Sequence, residues 1–154
     1  MATYKRFEDL EIWKLARQQC IDIENLIRED LYRKNARLKD QIQGSSGSVM
    51  DNIAEGFEKE STKEFINYLF YAKGSSGEMR SQLIRMNDFG YYDNEKIKPL
   101  IDMGEEISRQ IKGFIKYLKS LDHKGYRYSQ EPSVEYEIKA WENVDFKFSN
   151  NDNK

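Results

Sequence analysis

One histidine, His123, and one cysteine, Cys20, are all this chain has of two side chains widely used for catalysis and metal binding at neutral pH. The lone cysteine cannot close an internal disulfide, which fits a reducing compartment. Cys20 lies on an apolar stripe without a histidine partner, so its expected place is the core. Di-iron bundles need Glu-x-x-His on two helices, and His123 falls past the last helical pattern, so that chemistry is excluded. Helical-bundle ribonucleases with four to six residues between an arginine and a histidine are excluded too, because no arginine stands at that spacing ahead of His123. Neither glycine-serine stretch follows a strand or contains Gly-Lys-Ser/Thr, which removes phosphate loops and dinucleotide fingerprints. Paired carboxylates such as Glu55 and Glu58 single out nothing in a chain that is 34% charged. No catalytic residue, cofactor, metal or small-molecule substrate is therefore expected.

Long apolar runs are missing as well. Residues 1–9 hold no apolar core of a signal peptide, and no run approaches the roughly 18 residues of a membrane span. The expectation is a soluble, cytoplasmic chain without a membrane partner. Nor does one sign of charge prevail: residues 1–121 carry 20 basic and 20 acidic side chains, and residues 122–154 carry 5 and 7, the whole of the net −2. A neutral body exerts no global pull on nucleic acid, so any such binding must come from a local patch. Only two prolines, with aromatics at 13%, argue against wholesale disorder. The length of 154 residues suits one core.

What is present is helical periodicity. Leu10, Trp13, Ala16, Cys20, Ile23 and Ile27 recur at steps of three and four, and Leu38, Ile42, Ser45, Val49 and Ile53 repeat the pattern. Ser61-Thr62-Lys63-Glu64 reads as a capping box that opens a third helix, with Phe65, Leu69, Ala72, Ser76, Met79, Leu83 and Met86 inward. Gly90 is placed to end it in the left-handed conformation. A fourth helix follows Asp93-Asn94, with Ile97, Leu100, Met103, Ile107, Ile111, Phe114 and Leu118 inward and Pro99 in or just before its first full turns. Short connectors favour an all-α, antiparallel, up-down-up-down four-helix bundle over residues 1–121.

Two kinds of segment test this reading. Gly44-Ser45-Ser46-Gly47-Ser48 and Gly74-Ser75-Ser76-Gly77 resemble linkers in composition, yet both stay in phase with the stripes around them. They are read as helix interiors, their small residues allowing helices 2 and 3 to cross closely, with breaks in the helices as the alternative. In residues 122–154, Val134, Tyr136, Ile138 and Ala140 alternate with polar residues, as do Val144, Phe146 and Phe148. Period-two alternation suggests an extended, β-like C-terminal arm lying on the bundle or a neighbouring subunit. A frayed appendage is the alternative.

Asn52-Ile53-Ala54-Glu55-Gly56 is the strongest local motif. Structurally it reads as a helix C-terminus capped by Gly56, with Asn52 or Glu55 tying the turn to a neighbour. Functionally, Asn52 and Glu55 would be polar contacts at a subunit or ligand surface. Arg109, Lys112, Lys116 and Lys119 line one face of helix 4 and could follow a phosphate backbone. The plain alternative is a solvated face on which Glu105 and Glu106 pair with Arg109 and Lys112. Arg28, Arg33, Lys34 and Arg37, at the junction of helices 1 and 2, form a second candidate patch. Tyr68, Tyr71, Tyr91, Tyr92 and Tyr117 suit core edges and interfaces better than base stacking.

Phe7 through Ala16, Gln41-Ile42, Ser48 through Phe57, Lys63 through Ser75 with Glu78, and Leu83 through Tyr91 together resemble a known family. It is that of the bacterial four-helix bundle proteins encoded in intervening sequences of 23S ribosomal RNA genes, also called S23 ribosomal proteins. The resemblance covers residues 7–121 and departs at Gly44 and Gly47, where bulkier residues are often found. It implies a pentameric ring of four-helix bundles. It further implies distant kinship to the accessory variability proteins of diversity-generating retroelements, which bind a reverse transcriptase and nucleic acid. The expected function is a non-enzymatic homo-oligomeric accessory protein with an RNA or nucleoprotein partner. The alternative is a protein-interaction scaffold with no nucleic-acid role.

Overall fold

The computed structural model describes residues 4–29 and 35–123, with side chains through Leu121. Four helices carry the fold: α1 Glu11–Arg28, α2 Ala36–Phe57, α3 Thr62–Asp88 and α4 Asn94–His123, preceded by a 3₁₀ turn over Phe7–Asp9. Each packs on its neighbours in sequence, and α4 closes on α1. The bonds Gln43–Glu24, Ser45–Gln82, Ser76–Gly104 and Lys96–Glu29 run the four pairs antiparallel. The up-down-up-down bundle read from periodicity is the observed architecture. The arm proposed for residues 122–154 lies outside the described residues except where α4 runs on to His123.

Local chemistry sets the helix ends. Ser61 Oγ accepts the Glu64 N–H at 3.4 Å, the Ser half of the expected box. Asn35 opens α2 in the left-handed region, its side chain accepting the Leu38 N–H. Gly90 takes φ 66°. The Tyr91 N–H then reaches the Met86 carbonyl and the Gly90 N–H the Asn87 carbonyl, both at 3.0 Å, a Schellman closure of α3. Pro99 stands in the second turn of α4, past the positions where a missing N–H is harmless.

The interior is two apolar clusters with a polar layer between them. One cluster holds Ala16, Val49, Ile53, Phe57, Phe65, Leu69, Ala72, Ile107, Ile111 and Phe114. The other holds Ile23, Leu38, Ile42, Met79, Leu83, Met86, Ile97 and Leu100. Between them every helix contributes a small or polar residue: Gln19, Ser45 with Ser46, Ser76, and Gly104. Gln19 Nε2 donates to the Leu100 carbonyl at 2.7 Å, Ser76 Oγ to the Gly104 carbonyl at 3.0 Å, and Ser45 Oγ to Gln82 Oε1 at 2.6 Å. Buried polar groups are tolerable when bonded in this way. Cys20, expected in the core, is half-buried at the edge of this layer, 3.8 Å from Ser46 Oγ.

Both glycine-serine stretches are continuous helix, as their phase predicts. The physical reason differs from the expected one. Ser45, Ser46 and Ser76 face inward, whereas Gly44, Gly47, Gly74 and Gly77 have open space where a Cβ would stand. The close approach of α2 to α3 is at Gly56. Replacing exposed Gly44, Gly74 and Gly77 together by alanine should raise stability by about 2–3 kcal/mol, at roughly 1 kcal/mol per helix-interior glycine. Urea unfolding measures this. A triple variant no more stable than the parent would mean that a neighbour covers these positions.

Candidate nucleic-acid interface

Inward Ile107, Ile111, Phe114 and Leu118 turn the opposite face of α4 to solvent. Lys112, Lys116 and Lys119 are exposed there, over the seam with α3. Across the seam stand Phe70 and Lys73 of α3. These five residues and Ile115 line an open groove of about 510 Å³. Ile115 is a buried floor, Phe70 is 48% exposed, and the Lys119 ammonium lies 5.3 Å from the centre of the Phe70 ring. None of the four lysines pairs with a carboxylate among the described residues. The groove is apolar below and cationic around its rim.

The stripe expected on helix 4 is thereby divided. Arg109 lies outside the groove and bonds Glu106 through Nε at 2.9 Å and again through Nη2. The Glu106 bond holds the guanidinium above its ordinary pKa, and the same bond holds the Glu106 carboxyl below its own. Glu105 reaches across to Arg80 of α3 at 2.7 Å, so the expected pairing of Lys112 with a carboxylate of its own helix does not form. In the second patch Arg28 bonds Glu24 at 2.6 Å and Arg37 is exposed. Arg33 and Lys34 lie outside the described residues.

The Asn52–Gly56 motif is a helix-packing device. Gly56 does not cap α2: the helix continues to Phe57, and the left-handed residue of the loop is Glu60. Gly56 is required because a Cβ there would stand 2.6 Å from Tyr68 Cβ and 2.8 Å from Phe65 Cδ2. Asn52 Nδ2 donates to the Ser48 carbonyl of its own helix. Glu55 accepts the Tyr68 hydroxyl at 2.7 Å, joining α2 to α3, and Lys59 stands 5.5 Å over the Tyr68 ring. Tyr71 sits edge-on to Tyr68 at 5.7 Å and is 61% exposed; Tyr117 stacks on Phe114.

Sequence reasoning missed Phe70 and Lys73. The signal was an aromatic out of phase with the inward stripe of Phe65, Leu69 and Ala72. Among the described residues no group of His, Cys, Asp and Glu is placed to hold a metal, and no helix is long and apolar enough to cross a membrane.

No curated protein matches the chain. A protein of unknown function from the S23 ribosomal protein family, from Bacteroides thetaiotaomicron, is similar in fold. Its crystal structure superposes with a TM-score of 0.64 at 22% identity, over 68% of this chain and 98% of that one. Residues 8–113 match the model of the 23S rRNA-intervening sequence proteins, and the chain belongs to that family.

Proposed function

We propose that this chain is a non-enzymatic, cytoplasmic accessory protein that binds RNA as a homo-oligomer, with the lysine groove of α3 and α4 as its contact surface. One observation carries the reading: Lys73, Lys112, Lys116 and Lys119 crowd one groove with no carboxylate among the described residues to neutralise them. In a body of balanced charge, such a concentration is a local anion site. Several copies in one assembly, five being the number the family resemblance implies, would bind one strand by avidity although each groove is weak alone.

The test is RNA binding across a salt series, with the K112Q/K116Q/K119Q variant beside the parent. Each lost phosphate contact to a single strand should flatten the log–log salt slope by about 0.7, so the triple variant should lose about 2. No binding at micromolar protein in low salt would remove this reading. The exposed Ile84 and Phe89 would then point to a protein partner instead.

A further inference from the structure

We propose that the groove takes an unpaired nucleotide, its base stacked on Phe70 and its flanking phosphates on Lys73, Lys112 and Lys116, so that single strands are preferred over duplex. The inference rests on RNA binding and names the form of nucleic acid. Phosphates alone would need only a cationic surface. This groove also offers an aromatic ring, half exposed in water, on a floor made by Ile115. Neither contributes to phosphate binding, and the exposed half of the ring is apolar surface that the bundle leaves in water. A π-face between ammonium groups is what a nucleobase with its backbone presents a match for. A duplex keeps its bases paired and stacked, so it would meet the lysines and leave Phe70 unused.

Lys119 supplies the moving part. Its ammonium rests 5.3 Å from the Phe70 centroid, a contact that is weak when exposed to solvent. Stacking with a base is the stronger interaction. An arriving base therefore displaces the ammonium, which is freed toward the neighbouring phosphate. Lys112 to Lys119 spans about 10 Å of helix axis, the reach of a few nucleotides.

The experiment uses the full chain and labelled oligouridine, oligothymidine and a duplex of equal length at fixed salt, with parent, F70A, F70W and K112Q/K116Q proteins. Single strands of both sugars should bind more tightly than duplex. F70A should weaken single-strand binding about tenfold, leave duplex binding and the salt slope unchanged, and be rescued by F70W. Equal binding of both strands by F70A and parent, with K112Q/K116Q still impaired, overturns the stacking site and leaves the RNA reading standing. Preference for duplex overturns it too. If no nucleic acid binds while anionic vesicles or an acidic aromatic peptide do, both readings fall. Phe70 is half exposed, and circular dichroism of F70A verifies that its fold is intact.

Discussion

Phe65→Ala is expected to lower stability by about 3–5 kcal/mol, the range for emptying a buried phenylalanine site. Phe65 is fully buried on α3. Its ring meets Phe57 of α2 edge-on at 6.0 Å and Phe114 of α4 edge-on at 5.7 Å. One side chain thus joins three helices, and each aromatic pair adds about 0.5–1.5 kcal/mol beyond its buried area. Alanine is the better helix former, but that gain is below about 1 kcal/mol and cannot offset the cavity. With about 5–15 kcal/mol typical of a whole domain, the variant should melt roughly 10 °C or more below the parent. Urea or thermal unfolding at matched protein concentration measures this, since any assembly makes the midpoint concentration-dependent. A loss under about 1 kcal/mol would show that the aromatic trio is not the centre of this half of the core.

Gly56→Val should cost about 3 kcal/mol, and Gly56→Ala about 1–2 kcal/mol. The first added carbon meets Tyr68 Cβ at 2.6 Å. That atom is the root of a side chain, so no rotation clears it and α3 itself must move away. Helix propensity pulls the other way, by about 1 kcal/mol in favour of alanine, which is why alanine is the milder change. Alanine should destabilise at Gly56 and stabilise at Gly44, although both glycines lie within α2. Parallel chemical denaturation of the two variants decides it, and equal effects would refute the close approach of α2 to α3.

Periodicity, the Ser61 cap and Gly90 were legible because their causes are local: a stripe, a hydroxyl two or three residues from an N–H, a positive φ. The interior position of both glycine-serine stretches was legible for the same reason, through phase. Gly56 was misread because a glycine near the end of an apolar stripe has the local signature of a cap. Its actual cause is Tyr68 and Phe65 on the next helix, beyond the reach of any one-dimensional pattern. The helix 4 stripe was half legible. Its lysines share a face by spacing alone, but the exchange of Glu105 to Arg80 and the arrival of Phe70 and Lys73 depend on how α3 and α4 meet.

The polar layer between the two apolar clusters has a consequence for how the helices find each other. In a uniformly apolar bundle, sliding one helix by a turn, about 5.4 Å, exchanges one greasy contact for another and changes the energy little. Here such a slip would set Gln19 among isoleucines and part Ser76 from the Gly104 carbonyl. Each buried polar group stranded in this way costs about 1–3 kcal/mol. The buried Gln19, Ser45, Ser46, Ser76 and Gln82, with the Leu100 and Gly104 carbonyls of α4, therefore act as the teeth of a key: they add little to the depth of the native state and raise the energy of misaligned ones.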